Sequence, residues 1–273
     1  MGSLSNYGEN ALVKHMFCET AYSPAATIYL ALATGDPGET ATGASMNECA
    51  NANNYSRKAI TFSAASARRV TQNGTVLFDE ASGSWGTVSH WAIVDSGTYG
   101  AGNVLAYGAF AVSKSVVSGN TPSVASTETY VEITANTGLS NYAANGFLDC
   151  MFRNQAFTVS GTHLGLTTAT ISDSSTVGTI TEVSGNNYSR KQVNAAGGAL
   201  PAWEAATGNA TQNANAITFA TPSGSWGTIT STFVADAASS GNILMYDNGI
   251  TDQAVGSGDT IQYAIGAFDF SQS

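Results

Sequence analysis

Ser82-Gly83-Ser84-Trp85-Gly86-Thr87 returns unchanged as Ser223-Gly224-Ser225-Trp226-Gly227-Thr228, and working outward from it shows the whole chain to be written twice. Upstream, Asn53-Asn54-Tyr55-Ser56-Arg57-Lys58 recurs as Asn186-Asn187-Tyr188-Ser189-Arg190-Lys191. Leu4-Ser5-Asn6-Tyr7 recurs as Leu139-Ser140-Asn141-Tyr142, and Met16-Phe17 as Met151-Phe152. Downstream, Gly102-Asn103 and Tyr107 match Gly241-Asn242 and Tyr246, and Ser118-Gly119-Asn120-Thr121 matches Ser257-Gly258-Asp259-Thr260. The order is unbroken and the offset stays between 133 and 141 residues, so the copies differ by a few loop insertions. Such a period is that of a complete domain with its own core, too long for a solenoid unit. The chain reads as two tandem domains, residues 1–136 and 137–273, meeting just before the second Leu-Ser-Asn-Tyr.

Composition narrows the function. Hydrophobic residues make up 43% of the 273 positions, enough for two cores, while charged residues make up only 10%, far below the roughly 25% usual for soluble domains. The surface must be dressed in Ser, Thr, Asn, Gly and Ala, which suits an all-β structural protein. The net charge of −10, with no basic cluster beyond Arg68-Arg69, argues against nucleic acid and anionic membranes as partners. No stretch approaches the roughly 20 apolar residues of a membrane span, and no membrane insertion is expected. The first residues lack a basic start and an apolar core, so no secretory signal is expected and the chain is expected to stay soluble in the cytoplasm where it is made. Met1-Gly2-Ser3 reads as a cloning remnant, since Asn6 stands where myristoylation requires Ser or Thr. Cys18, Cys49 and Cys150 cannot make a complete disulfide framework.

Each repeat opens with a helix signal followed by a period of two. Ser5 or Asn6 can cap the first helix, whose Leu12, Val13, Met16 and Phe17 form an apolar stripe; Ser140 or Asn141 caps the second, with Phe147, Leu148, Met151 and Phe152 in the same places. One side of each helix is expected to pack on its own domain. Strands are expected over residues 27–34, 59–62, 74–78, 87–94, 104–110, 112–117 and 129–134, and over 162–168 in the second copy. They are short, rich in Val, Ile, Thr and aromatics, and separated by Gly, Asn and Ser turns. No helical pattern between strands could serve as a parallel crossover. The expected fold class is all-β: two tandem antiparallel β-sandwich (jelly-roll or Ig-like) domains, each preceded by a short N-terminal α-helix.

The candidates for chemistry read more simply as structure. Trp85 and Trp226 could stack on sugars, but a Trp kept in both copies while the next strand diverges suits a core anchor, with flanking glycines making the bend. Arg57 and Arg190 could hold a ligand carboxylate, but such an arginine more often pairs with a local acid or with carbonyl groups. His15, His90 and His163 have no companions at metal-ligand spacing, so no metal site and no cofactor are expected. No nucleophile elbow is present, and Asp79, Glu80 and Asp95 are scattered. Asp95 and its counterpart Asp236 close a strand before a Ser/Gly turn, where a carboxylate caps backbone N–H groups. No catalytic residue is assigned.

The ordered motifs carry a resemblance. The "LSNY…MF" opening, "NYSRKAITF", "SGSWGTVSHWAIVDSGTYGAGNVLAYGAF" and "SVVSGNTPSVAS" together resemble modules of tailed-bacteriophage virion structural proteins, tail-fibre-like or similar to head spike fibres, in two tandem copies. The first repeat follows the pattern throughout; the second departs where Gly108 becomes Asn248 and where the "SGNTPS" turn loses its proline. The resemblance implies a non-enzymatic fibre, spike or decoration component located in the virion. It implies other virion proteins, and the chain itself as a homo-oligomer, as partners, and supplies no catalytic residues. A second reading is an adhesin for host surface glycans, with Trp91 and Tyr99 as stacking aromatics because the second repeat lacks them. A third is a small polysaccharide depolymerase or esterase.

Overall fold

The computed structural model describes residues 2–272. The first repeat runs β1 (Gly2–Leu4), α1 (Asn6–Met16), β2 (Ile28–Ala33), β3 (Lys58–Ile60), β4 (Arg69–Thr71), β5 (Val76–Leu77), β6 (Gly86–Val94), β7 (Val104–Val116), β8 (Ser123–Val124) and β9 (Tyr130–Glu132). The second runs α2 (Asn141–Arg153), β10 (Thr162–Thr167), β11 (Lys191–Val193), β12 (Ala210–Gln212), β13 (Ile217–Thr218), β14 (Gly227–Ile229), β15 (Ser231–Ala235), β16 (Ile243–Asp247), β17 (Gln253–Val255), β18 (Gln262–Tyr263) and β19 (Asp269–Ser271). The protein is mostly β, with a short helix opening each repeat, as the sequence periodicity predicts.

In the first repeat one sheet has the order β3-β2-β6-β7-β1-β9-β4, antiparallel except where β1 and β9 pair parallel through Gly2 and Val131. The second repeat keeps the same neighbours in pieces. There β11-β10-β15-β16 form one sheet, while β12-β19, β13-β18 and β14-β17 are separate ladders. The two expected strands at 104–110 and 112–117 are the single strand β7, whose counterpart is interrupted between β16 and β17. Buried side chains come from the main sheet (Leu30, Ile93, Leu105, Val131) and from the small β5–β8 ladder (Val76, Val124).

Register aligns the copies residue by residue. Leu32 faces Trp91, and Trp91 faces Gly108. In the second copy Leu166 faces Thr232, and Thr232 faces Asp247. Gly108 therefore corresponds to Asp247, one residue before the Asn248 expected from the sequence, because Tyr107 and Tyr246 hold the same ladder position. β1 is absent from the strands expected from sequence: Gly2 and Ser3, read as a remnant, pair with Gly108 and Tyr107 inside the sheet.

Both helices start as their sequences require. The Ser5 Oγ accepts the Gly8 N–H at 3.2 Å and donates to the Val104 carbonyl; the Ser140 Oγ accepts the Ala143 N–H at 3.1 Å and donates to the Ile243 carbonyl at 2.5 Å. A capping serine satisfies an N–H that the first helical turn leaves unpaired.

Beyond its first turn, neither helix keeps to the strands of its own repeat. The chain forms two compact units: residues 1–9, 23–133 and 145–157, and residues 10–22, 134–144 and 158–273. Within the first unit, Asp149 Oδ1 accepts the Ala65 N–H at 2.8 Å, Asn145 Oδ1 accepts the Arg68 N–H at 2.8 Å, and Phe152 packs on Phe62 at 5.3 Å. Within the second, Glu19 Oε2 accepts the Ala206 N–H at 2.7 Å and Phe17 packs edge-on to Trp203 at 4.7 Å. These are equivalent contacts, since Phe62 bridges Gln72 as Trp203 bridges Asn213. An apolar stripe dictates that a helix face is buried; it does not dictate which strands bury it.

Candidate functional site

The two most specific shared motifs meet in one cluster in each unit. Tyr55 stacks with Phe78 at 6.3 Å and meets Trp85 edge-on at 5.2 Å; Tyr188, Phe219 and Trp226 repeat this at 6.2 and 5.4 Å. Asn53 and Asn186 sit at φ of 56° and 49°, a region Asn tolerates. Their carbonyls accept the Trp85 and Trp226 indole N–H groups at 2.8 and 3.0 Å. Their side chains reach back to the Ser84 and Ser225 carbonyls at 3.0 and 2.8 Å. A Cβ at Gly83 would lie 2.6 Å from the Asn53 side chain, so the glycine lets the two motifs close on each other. Both tryptophans are 5% exposed, which makes them core anchors with a satisfied polar handle.

The repeated arginines are spent in the same way. Arg57 donates from Nε and Nη2 to both Glu48 oxygens at 2.8 Å, to the Ser96 and Ala101 carbonyls at 2.8 Å, and to the Gly43 carbonyl at 2.9 Å. Arg190 grips Glu182 at 2.8 and 2.7 Å and donates to the Ala237 and Ser240 carbonyls at 2.8 and 2.7 Å. A tyrosine hydroxyl completes each network: Tyr55 donates to Glu48 at 2.8 Å while accepting the Leu32 N–H at 3.0 Å, and Tyr188 does the same with Glu182 and Leu166 at 3.0 and 2.9 Å. Burial first, and then the adjacent glutamate, push the Tyr55 phenol well above its ordinary range. Every guanidinium nitrogen that could reach a ligand is already bonded. The only sequence signal for Glu48 and Glu182 is a glutamate eight or nine residues before the arginine in both copies.

The remaining candidates are distributed, not gathered. Asp95 accepts the Asn103 backbone and side-chain N–H groups, both at 2.7 Å, and Asp236 does so with Asn242 at 2.7 and 2.9 Å, as the capping reading predicts. Asp79 pairs with Lys58 at 2.6 Å. His15 Nδ1 accepts the Tyr22 N–H at 3.0 Å, and His90 Nδ1 lies 2.8 Å from the Ser89 hydroxyl. His163 is held below the usual histidine range by burial and then by Arg190. The three cysteines are free thiols, and burial followed by Glu48 pushes Cys49 up to about 12, which keeps it unreactive. Among the described residues no three His, Cys, Asp or Glu side chains form a metal-holding group, and no helix is long and apolar enough to cross a membrane.

Trp91 and Tyr99 part company. Trp91 is 1% exposed, so its ring offers no face to a sugar; it is a core side chain set against Gly2. Tyr99 is 41% exposed and borders a recess of about 220 Å³ with residues 43–48.

Duplicated β-modules whose tryptophan, arginine and aspartate motifs serve the fold define a repeat-built protein. The family model of the podophage GP4 fiber I protein gp80 matches residues 3–132 and again residues 138–271. The chain belongs to that family and carries its module in two adjacent copies. It is thus a phage fibre-type protein, a virion component that works alongside other virion components. Comparison with curated proteins found no match.

Proposed function

We propose that this chain is a non-enzymatic structural component of a virion fibre, acting through many copies that assemble with one another and with neighbouring particle proteins. One observation carries the reading: the most specific motifs common to both copies are used inside the module, as the Trp85 cluster, the Glu48–Arg57–Tyr55 network and the Asp95 cap are. Duplication has preserved a scaffold and not a reactive centre. Multiple modules on one particle raise the effective concentration at any surface they touch, so weak individual contacts suffice. Light scattering of the purified chain, together with quantification of its copies in purified particles, tests this. An oligomer present in multiple copies is expected; a strict monomer absent from particles overturns the proposal.

Tyr99 supports a second reading, a host-glycan adhesin, because its exposed ring beside a polar recess is the arrangement that stacks on a sugar. Multivalent glycan-array binding lost in Tyr99→Ala, with folding intact, would establish it; no binding by the multivalent wild type removes it.

A further inference from the structure

The exchange of helices between the repeats is reciprocal, and position matches position. Ser66 bridges Arg69 as Thr207 bridges Ala210, so Ala65 and Ala206 are one position of the fold, as Phe62 and Trp203 are. In the first unit both are met by residues of the second repeat: Asp149 Oδ1 accepts the Ala65 N–H, and Phe152 packs on Phe62. In the second unit both are met by residues of the first: Glu19 Oε2 accepts the Ala206 N–H, and Phe17 packs on Trp203 and, at 5.7 Å, on Phe270. Phe17 and Phe152 are themselves equivalent, but the two acids are not, since Asp149 corresponds to Lys14 and Glu19 to Asn154. The same backbone N–H is thus capped from across the repeats by a carboxylate that each copy places differently. What the copies share is the exchange, not the side chain that secures it.

Each helix still begins on its own strands. Ser5 and Ser140 donate to the Val104 and Ile243 carbonyls of their own repeats, while residues 10–22 and 145–157 belong to the opposite units. The stripes they carry are core: Leu12, Val13, Met16 and Phe17 are buried, and so are Phe147, Leu148, Met151 and Phe152. A repeat standing alone in this conformation would bare its own stripe and the strands that the other helix covers.

We propose that the strands around Phe62 and Ala65, and those around Trp203 and Ala206, are helix-acceptor surfaces whose partner is the opening helix of another copy of this repeat. Identical elements traded between like modules are the mark of an exchange dimer. The chain is accordingly a dimer of repeats written on one polypeptide, in which residues 134–138 tether the pair without holding it together. A second copy of the chain presents the same helices, so two chains can be joined by trading them with no new surface. The use of such joints in a virion rests on the fibre reading; the pairing of the repeats does not.

The test cuts the folded full chain. A protease recognition sequence is placed between Ala135 and Asn136, both exposed, and is cleaved after folding. The two fragments are expected to stay paired on size exclusion, with the amide protection of residues 28–33 and 162–167 unchanged. Phe17→Ala or Phe152→Ala should raise the concentration at which they part about tenfold or more, because truncating a buried phenylalanine leaves a cavity in the acceptor. Glu19→Ala removes one hydrogen-bond acceptor, should give a smaller rise, and serves where a phenylalanine variant does not fold. Differently labelled cut chains, unfolded together and refolded, should re-pair across labels in native mass spectrometry. Fragments that part and keep their native protection overturn the proposal. A pairing that none of the three variants weakens, or refolding without mixed-label pairs, also overturns it. Purified particles separate it from the fibre reading. If the chain never joins them, the fibre reading fails and the cut chain still decides the pairing; if the chain joins them but its fragments part as folded monomers, the pairing fails alone.

Discussion

Arg57→Met should be the most damaging single polar substitution in the first unit, and the geometry gives its size. The Arg57 side chain is fully buried and that of Glu48 is 4% exposed, so removing the guanidinium strands a carboxylate where water cannot reach it. It also takes donors from the Gly43, Ser96 and Ala101 carbonyls. Breaking a buried pair from one side costs roughly 3–5 kcal/mol, a large share of the 5–15 kcal/mol typical of a domain. The second copy provides the control. Glu182 is 21% exposed and can be rehydrated, so Arg190→Met should cost only about 1.5–3 kcal/mol, the value of hydrogen bonds to a charged group. Arg57→Lys should recover little, since a point charge cannot serve both carboxylate oxygens and three carbonyls at once. Urea unfolding followed by hydrogen exchange, read separately in residues 28–33 and 162–167, gives both losses. A cost below about 1 kcal/mol for Arg57→Met, or a larger cost for Arg190→Met, would show that burial does not set the energetics of these networks.

Three further outcomes follow from the same structure. Asp149→Ala, a change in the second repeat, should accelerate amide exchange in residues 63–70 of the first, and Glu19→Ala should do so in residues 204–211. Each leaves a backbone N–H without its acceptor, at about 1–3 kcal/mol; exchange that rises only within the mutated repeat refutes the shared helices. Gly2→Ala places a Cβ 2.2 Å from the Trp91 ring and 2.6 Å from the Tyr130 carbonyl, and overpacking of this kind costs about 1–3 kcal/mol. A double-mutant cycle with Trp91→Thr should return a coupling of about 1 kcal/mol, and strict additivity would mean that ring and glycine do not touch. Burial, and then the Glu39 carboxylate, raise Glu9 from an ordinary 4.5 to about 7. A raised folded-state value gives stability that is full below about pH 4.5 and is lost as pH rises through 7. Glu9→Gln should flatten that part of the stability profile, and an unchanged slope excludes Glu9 as its source.

Much of the architecture was legible because it repeats. Two copies of Ser-Gly-Ser-Trp-Gly-Thr and Asn-Asn-Tyr-Ser-Arg-Lys locate the core clusters without any structure, and the capping serines and Asp95 and Asp236 can be read from local turn chemistry. What could not be read lies in the pairings between distant segments. β4 and β8 are two or three residues long and carry too few positions for a period of two to emerge. β1 is Gly-Ser-Leu, which has no strand signature; its place is decided by β7 and β9 on either side. The helices carry the right stripe, but the Asp149–Ala65 and Glu19–Ala206 contacts that place them span 84 and 187 residues.

Trp91 shows how a difference between repeats should be weighed. An aromatic present in one copy and missing from the other looks dispensable to the fold and therefore available for a ligand. The structure reverses that inference, because the fold of the first copy needs the ring and the second copy has changed together around its loss. Trp91 packs against Gly2 and faces Gly108; Thr232 is accompanied by Asp247 at the second position and by a chain that turns away at Gly138 where β1 would continue. One large ring with two bare glycines has been exchanged for Thr232 and Asp247, while Phe268 and Phe270 stand where the first copy has Thr129 and Val131. Where two copies differ at a set of touching positions, the difference marks a change of packing.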